Sequence, residues 1–410
     1  MIELDMEENK SKVGAKLKVV GVGGAGGNAV NSMISGNDLD NVEFVVANTD
    51  RQALEMSPAE SKIQLGAKIT KGLGAGSDPE VGQRAAEEDK EAILEQISDA
   101  DILFLTAGLG GGTGSGALPV IAKTAKEKDV LSIAVVSKPF FFEGKRRLNN
   151  ADSSIEKLKS VVDTLIVVPN QRLLEVVDPK ISMLDAFAKA NDILKQAIKG
   201  ISDIIYHPGH INVDFADVYT IMKDMGMALM GTGCSSGEDR AKQAALKAIN
   251  SPLLENVKID GAKGVLLNIT GNSDLGLHEI HEAAQVIYDL VSEDANIILG
   301  SVIDKDMGDE IKVTVIATGL ETSIPEVKDF EASKIEKKEN SEKVEYSEKN
   351  DNVVTQNFEP KEKVQHSSEQ NVEATSSSDN VEDVTFDMSD MDTPTFLRKD
   401  AENKESSAQN

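Results

Sequence analysis

The chain has 410 residues, 40% of them hydrophobic, and a formal net charge of −27. This length leaves room for two or three domains, and the negative charge argues against nucleic acid or an anionic membrane as a direct partner. The single cysteine, Cys234, excludes a disulfide framework and indicates a reducing compartment. Residues 1–12 lack the apolar segment of a signal peptide, and no run reaches the roughly 18 apolar residues of a membrane span. We therefore expect a cytoplasmic protein.

A glycine-rich run follows the first predicted strand. Residues 1–15 are predicted to be a disordered arm, 16–21 a strand and 29–35 a helix. The segment Gly21–Asn28 between them reads GVGGAGGN and contains G-x-G-x-x-G, the pattern of dinucleotide-binding turns. This match is weak by itself. It predicts a phosphate-binding turn, with a bare glycine turn as the alternative.

The next two predicted elements are also bordered by polar or glycine-rich segments. The strand at 42–47 ends in Asn48-Thr49-Asp50, which either contacts a ligand at the end of a parallel strand or caps a turn. The loop Gly72–Asp78 precedes an acidic helix predicted at 79–97. Ser77 and Asp78 before Pro79 form an ordinary helix N-cap, but a cap leaves the glycines of the loop unexplained.

The most specific motif is the run Gly110–Gly116, GGGTGSG, between a strand predicted at 101–106 and a helix predicted at 117–128. Its free backbone N–H groups lie at the positive end of a helix dipole, where a phosphate can approach closely. Thr113 and Ser115 add hydroxyl donors. A tight turn is the alternative. No glycine run continues into Lys and then Ser or Thr, so the phosphates must be bound by amides and hydroxyls.

Strands are predicted again at 131–136 and 164–168, the second ending in Pro169-Asn170. Glu143 and Arg147 between them are spaced as an i,i+4 ion pair. Residues 16–170 therefore alternate strand and helix about five times, which predicts an α/β fold with a doubly wound parallel sheet. The three glycine loops then lie along one edge of that sheet.

A long amphipathic helix is predicted at 183–205, followed by an acidic loop. Asp192 lies near Phe187, and together they either contact a purine or serve as surface and core residues. After the helix, Asp214 and Asp217 start a new helix beside Asn212. One such aspartate is a typical N-cap; two of them with Asn212 also suit orienting a water or a hydrated cation.

The remaining sequence divides at about residue 320. Strands and helices predicted over 216–317 indicate a second, smaller α/β domain, and His278-Glu279-Ile280-His281 is assigned no metal site. Residues 321–390 are rich in charged and polar residues and cannot bury a core. The apolar cluster near Phe396, followed by Arg398-Lys399, predicts a partner-docking peptide at 391–399, with chance apolar residues as the alternative.

Taken together, these motifs resemble the FtsZ family of bacterial tubulin-like cell-division GTPases. Gly110–Gly116 matches the tubulin-family signature, with Ser115 in place of the commoner Thr, and the resemblance covers 16–320. It implies a tubulin-like fold: a Rossmann-like GTP-binding domain at 16–182, a central helix at 183–205 and a C-terminal activation domain at 206–320. Pro394–Lys399 resembles the family's C-terminal peptide, although Thr393 replaces an aliphatic residue, and 400–410 form a disordered end.

The resemblance also implies site residues, with GTP or GDP and Mg²⁺ as cofactors and no protein metal ligand. The residues expected to bind the phosphates are Gly23, Gly24, Asn28, Ala75, Gly76, Gly111, Gly112, Thr113 and Gly114. Those expected around the ribose and base are Glu143, Arg147, Asn170, Phe187 and Asp192. Asn212, Asp214 and Asp217 are expected to enter the nucleotide site of the next subunit.

The implied activity is GTP hydrolysis inside a head-to-tail homopolymer, which forms the division ring at midcell. A membrane-tethering adaptor such as FtsA is expected to bind Pro394–Lys399. Two alternatives remain at this point: a tubulin-like filament that partitions plasmids, and an NAD-dependent dehydrogenase built on Gly21–Gly26.

Overall fold

The computed structural model describes residues 14–320, apart from 38, 176, 179, 208, 210, 252 and 255–258. The acidic linker and the docking peptide lie outside the described residues. One ten-stranded sheet runs through this part of the chain, in the order β3-β2-β1-β4-β5-β6-β7-β10-β8-β9. Its strands are β1 Leu17–Val22, β2 Val42–Asn48, β3 Ser61–Gln64, β4 Ile102–Gly108, β5 Leu131–Lys138, β6 Thr164–Pro169, β7 Gly226–Ser236, β8 Gly264–Gly271, β9 Asn296–Ile303 and β10 Glu310–Thr318.

Helices connect these strands and cover both faces of the sheet. They are α1 Gly23–Gly36, α2 Arg51–Met56, α3 Ala67–Thr70, α4 Pro79–Glu88, α5 Lys90–Ile97, α6 Thr113–Lys126, α7 Lys145–Lys159, α8 Asn170–Leu173, α9 Met183–Tyr206, α10 Phe215–Met222, α11 Arg240–Ile249 and α12 Leu277–Tyr288. Single 3-10 turns occupy Phe141–Glu143, Ile259–Gly261 and Lys305–Met307. Among the helices described, none combines the length and apolar character required to cross a bilayer.

The first six strands in the chain pair in parallel, which confirms the predicted doubly wound α/β sheet. Strand β1 is buried along its whole length, because helices pack on both faces of the sheet. Two separate apolar clusters result, one on each side of these strands. The alternating side chains Val19 and Val20 belong to different clusters, as the two-residue period of a strand requires.

The strands of the second half extend this sheet. Strand β7 pairs in parallel with β6 from Thr164↔Gly226 to Ile166↔Ala228, and β10 then pairs antiparallel with β7 and β8. The second half nevertheless has its own apolar cluster, built from α11, α12 and β7–β10. The chain therefore has a separate core for its second half beneath a continuous hydrogen-bonded sheet.

Two predicted helices begin earlier than expected, inside the glycine runs. Helix α1 starts at Gly23 and α6 at Thr113, so parts of the predicted turns are first helical turns. A Cβ at Gly26 would lie 2.4 Å from the Thr106 carbonyl oxygen, so only glycine lets α1 approach strand β4 this closely. Glycines that look like turn residues in the sequence are therefore also close-packing residues.

The predicted acidic helix at 79–97 is wrong as a single helix. It is divided into α4 and α5 at Asp89, whose backbone leaves the helical region. The Asp89 carboxylate accepts a hydrogen bond of 2.6 Å from the backbone N–H of Gly66. This contact joins residues that are 23 positions apart, so nothing in the local sequence indicates the break.

Helix α9 runs from the carboxyl ends of the parallel strands to their amino ends. It has 24 residues, or about 36 Å at 1.5 Å per residue. Its last residue, Tyr206, donates a hydrogen bond to the Ala15 carbonyl oxygen at 2.7 Å and accepts one from the Leu17 N–H. The end of α9 is thus attached to the start of β1, at the amino edge of the parallel strands.

The start of β1 also carries an acid-sensitive ion pair. Burial raises the pKa of Asp99, but hydrogen bonds from Lys16 and Lys18 outweigh it and lower the pKa from 3.8 to about 2. A lowered folded-state pKa stabilises the protein above the unfolded value and loses this contribution as pH falls towards about 2. We expect the unfolding free energy of the wild type to fall more steeply than that of Asp99→Asn below pH 3.8. The carboxylate is half exposed, so the difference is about 1 kcal/mol or less.

Urea unfolding measured at several pH values checks this expectation. Parallel pH profiles for the two proteins would contradict the assignment of the ion pair.

Candidate nucleotide-binding site

A cavity of about 280 Å³ lies at the carboxyl ends of β4, β5 and β6, beside the start of α1. Several predicted site residues meet there, although the loops that carry them are far apart in the sequence. The predicted residues in its lining are Gly24, Gly111, Gly112, Thr113, Gly114, Glu143, Arg147, Asn170 and Phe187. This is the edge at which an open α/β sheet binds its ligands.

The signature run shapes the turn between β4 and α6. Gly110 has a φ of 101°, a left-handed conformation that favours glycine. The Ser115 hydroxyl accepts a hydrogen bond of 2.7 Å from the Gly110 N–H, and Ser115 is buried. Ser115 does not line the cavity, and its hydroxyl oxygen closes the turn; a role as a donor to phosphate stays a prediction. The substitution of Ser for Thr preserves this hydroxyl.

The first glycine run and the second strand contact the signature run directly. A Cβ at Gly23 would lie 2.9 Å from the Gly114 nitrogen, so the start of α1 packs against the start of α6. The hydroxyls of Thr49 and Thr113 are 2.6 Å apart. Asp50 accepts hydrogen bonds from Gln52 and Ala53 and caps α2. Of the two roles left open for Asn48-Thr49-Asp50, Asp50 caps a helix and Thr49 contacts the signature run.

Space for a phosphate is present at two glycines of the cavity. A Cβ at Gly24 or Gly111 would meet no atom within 4 Å, and both residues line the cavity. Their missing side chains leave backbone accessible next to the N-termini of α1 and α6. Free N–H groups at a helix N-terminus bind anions. The residues present therefore fit the phosphates of a nucleotide.

The third glycine loop packs against the signature run and lies outside the cavity lining. A Cβ at Gly112 would lie 2.9 Å from the Ala75 side chain and 2.8 Å from the Asp78 nitrogen, so the two loops are in close contact. Asp78 caps α4 by accepting a hydrogen bond from Glu80. Ala75 and Gly76 do not line the cavity; Ala75 is buried beneath the signature turn, and Gly76 is exposed.

Aromatic and amide groups line another part of the cavity. Phe187 on α9 packs edge-on against the buried Phe140, with ring centroids 5.5 Å apart. Phe142 also stacks on Phe140 and is 64% exposed. Asn170 is buried, and its Oδ1 atom has no hydrogen-bond partner. An unpaired buried acceptor beside an aromatic ring suits a flat ligand that carries N–H donors.

Glu143 and Arg147 form the predicted ion pair, with Nη1 and Oε2 2.6 Å apart. Glu143 also accepts a hydrogen bond from the Phe140 N–H, which fixes the 3-10 turn before α7. The Glu143 carboxylate is largely buried, whereas Arg147 is half exposed. Arg147 is therefore held at the mouth of the cavity, where a guanidinium can contact an anionic ligand.

Besides Ala75 and Gly76, three predicted binding residues are not in the cavity lining: Gly23, Asn28 and Asp192. Asp192 accepts a hydrogen bond of 2.8 Å from Gln196 and forms ion pairs with Lys189 and Lys195. Asn191, one residue earlier, lines the cavity instead, because consecutive residues on a helix point about 100° apart. Asn28 is exposed on α1 and is not among the lining residues.

The acidic residues after α9 are not in this cavity. Asp214 accepts from the Asp217 N–H at 2.9 Å and Asp217 accepts from the Asp214 N–H at 3.2 Å, so the two form a reciprocal capping box on α10. At the other end of α10, the Met222 carbonyl oxygen accepts from the hydroxyl of Thr164, the first residue of β6. Asp214, Asp217 and Asn212 are exposed.

The described residues contain another cavity, of about 600 Å³, between α9, α11 and β7. Its lining includes Ile193, Met230 and Leu246 and none of the predicted site residues. It lacks glycine turns and helix N-termini, so we assign the phosphate chemistry to the smaller cavity.

Comparison with known proteins agrees with this geometry. Residues 16–178 match the GTPase domain of the Tubulin/FtsZ family, and residues 226–321 match the FtsZ C-terminal domain. An FtsZ structure from M. jannaschii, described as an empty dimer, is 42% identical with a TM-score of 0.72, over 76% of this chain and 90% of that chain. The chain belongs to the FtsZ family. It is a tubulin-like GTPase, so the dehydrogenase alternative is excluded.

Two structures of lower identity share the fold. CetZ2 from Haloferax volcanii, in a GTPγS-bound protofilament, is 23% identical with a TM-score of 0.65, over 75% of this chain and 94% of that chain. A GDP-bound CetZ1 monomer from the same organism is 24% identical with a TM-score of 0.66, over 76% of this chain and 96% of that chain. At this identity the likeness shows the fold alone. The expected bacterial source is not confirmed, because an archaeal FtsZ is among the similar structures.

Proposed function

We propose that the protein polymerises head to tail and hydrolyses GTP at the contact between subunits. One observation carries the proposal: the nucleotide cavity lies at the carboxyl ends of the parallel strands, whereas the end of α10 is bound at their amino ends, at Thr164. Helix α9 links the two ends of the strands, with Phe187 in the cavity lining and Tyr206 at the start of β1. About 36 Å of helix separates its two ends. A carboxylate on α10 reaches such a cavity only on another subunit.

In this proposal, each part of the chain has a distinct chemical task. Backbone N–H groups of the signature turn and of α1 bind the GTP phosphates and stabilise the charge that develops on them. Asn170 and Asn191 face the base, and Phe187 supports it. Asp214 and Asp217 of the neighbouring subunit, with Asn212, orient or polarise the attacking water. Mg²⁺ would enter with the phosphates and neutralise part of their charge.

A contact between unlike surfaces has a geometric consequence. Because one face carries the cavity and the other carries the acids, every added subunit exposes the same two faces again, and the assembly extends as a filament. The dimer of M. jannaschii FtsZ and the protofilament of CetZ2 support self-association of this kind.

We further propose that these filaments form the division ring at midcell, on the inner side of the membrane. The match to the FtsZ C-terminal domain supports cell division over plasmid partition as the role. Residues 394–399 would bind a membrane-tethering adaptor, for which FtsA is one candidate. Loss of septation on depletion, with plasmids retained, is the expected cellular result; plasmid loss with normal septation would favour the alternative.

The dependence of GTP hydrolysis on protein concentration tests the shared site. We expect the rate per subunit, with Mg²⁺, to be near zero below a threshold concentration and to rise above it, because the site is complete only between subunits. Sedimentation measured in parallel should give the same threshold for assembly. A rate per subunit that is independent of concentration would mean a self-contained active site and would refute the proposal.

A further inference from the structure

Helix α10 carries the proposed catalytic acids at its start and is anchored at its end. The hydroxyl of Thr164 donates to the Met222 carbonyl oxygen at 2.5 Å, and that of Thr318 donates to the Ile221 carbonyl oxygen at 2.8 Å. These contacts join α10 to β6 and to β10. Asp214 and Asp217, in contrast, are exposed.

Lys223 is the residue that follows α10, and its ammonium group lies among three side chains. Nζ is 2.8 Å from Asp129 Oδ1, 3.6 Å from Asp163 Oδ1 and 5.4 Å from the centroid of the Tyr219 ring. Asp129 and Asp163 precede β5 and β6, whereas Tyr219 belongs to α10 itself. The lysine therefore ties α10 to the amino edge of the parallel sheet. Its hydrogen bond to Asp129 raises the pKa of Lys223, so the ammonium stays charged.

Asp163 makes this contact more than a surface ion pair. The residue is 1% exposed, and its Oδ2 atom accepts from both the N–H and the hydroxyl of Ser132 at 2.8 Å. Its Oδ1 atom is buried without a hydrogen-bond partner. The Lys223 ammonium lies opposite this oxygen. A buried carboxylate oxygen needs a nearby positive charge, so the position of Lys223 is fixed more tightly than that of a solvated lysine.

Helix α10 has eight residues and is about 12 Å long. If the helix rotates about its end at Met222, its first turn moves through the same angle at a distance of about 12 Å. We propose that Lys223 is a positioning residue for GTP hydrolysis, which fixes the direction of α10 and thereby places Asp214 and Asp217 against the next subunit. This inference rests on the proposed shared site.

Lys223→Met tests the inference, because it keeps the alkyl chain over Tyr219 and removes the charge. We expect the turnover per assembled subunit to fall about ten- to a hundredfold, since small displacements of reacting groups cost this much. GTP affinity should be unchanged, because the nucleotide cavity lies at the other edge of the sheet. Lys223→Arg, which restores the charge, should recover most of the turnover. Turnover of Lys223→Met within twofold of the wild type would overturn the inference.

Two further variants separate positioning from stability. Lys18→Met removes another largely buried lysine, whose Nζ lies 2.5 Å from Asp99 Oδ1 on the opposite side of β1 from α10. Lys18→Met should lower the melting temperature without lowering turnover per assembled subunit. If turnover falls equally in Lys18→Met and Lys223→Met, Lys223 has a structural role only. If Lys223→Met does not fold, Asp129→Asn, which weakens the 2.8 Å contact and leaves Asp163 paired, decides the question.

An Asp217→Asn variant distinguishes the two proposals. If it hydrolyses GTP at the wild-type rate, the shared site itself fails. If it is inactive and Lys223→Met is fully active, only the positioning role fails.

Discussion

The Asp217→Asn variant is expected to bind GTP and assemble but to hydrolyse GTP about 10²- to 10⁴-fold more slowly than the wild type. The substitution removes the carboxylate but keeps an oxygen that can accept the 3.2 Å hydrogen bond from the Asp214 N–H. The start of α10 therefore remains capped, and a loss of activity reports on the chemistry of the carboxylate. Steady-state GTP hydrolysis, fluorescent-nucleotide binding and sedimentation measure the three properties separately.

Asp304→Asn is the matched control for this experiment. Asp304 also caps a helical turn in the second half of the chain, by accepting from the Asp306 N–H at 3.0 Å. We expect it to hydrolyse GTP normally. Wild-type turnover in Asp217→Asn would show that Asp217 is only a capping residue, whereas loss of GTP binding would show that the substitution acts through the fold.

Gly111→Val is expected to weaken GTP binding by at least about a hundredfold, equivalent to about 2.7 kcal/mol, with little change in thermal stability. Gly111 has no left-handed φ, and a Cβ there would meet no atom within 4 Å, so the fold accommodates the side chain. The valine would instead project into the space that a phosphate needs. Binding titrations with GTP and thermal unfolding of the nucleotide-free protein measure the two effects.

Gly261→Val controls for the general effect of replacing glycine by valine. This exposed glycine also has no neighbour within 4 Å of a Cβ and lies outside the cavity. It should bind GTP as the wild type does. If Gly111→Val also binds GTP normally, the phosphates are not bound against the signature turn, and the site must be reassigned.

Much of the fold could be predicted from local patterns. Continuous apolar runs such as 102–105 indicate strands buried on both faces, and the three- and four-residue spacing over 183–205 predicts α9 almost to its ends. The short elements between 51 and 70 are too brief to give a periodic signal. The pairing of β7 with β6 joins residues about sixty positions apart through three pairs, and local sequence carries no information about it.

The candidate site shows the same limit at the level of single atoms. Glycine runs indicate where phosphates can bind, but the use of the Ser115 hydroxyl depends on its contact with Gly110. The prediction of Asp192 used only its distance along the chain from Phe187. On a helical wheel Asn191 shares a face with Phe187 and Ala190, whereas Asp192 points about 140° away from Phe187, so the helical period favours Asn191 as the cavity residue.

The length of α9 sets a lower limit on the axial repeat of the proposed filament. Nineteen residue steps separate Phe187 in the cavity lining from Tyr206 at the other end of α9, or about 28 Å, and the distance between successive subunits is expected to be at least of this order. One residue inserted into α9 would change this distance by about 1.5 Å and rotate everything beyond it by about 100°. Subunits with and without such an insertion would not copolymerise in register. Exposed positions of this helix outside the cavity can therefore vary singly, whereas its number of residues can change only together with the contacts between subunits.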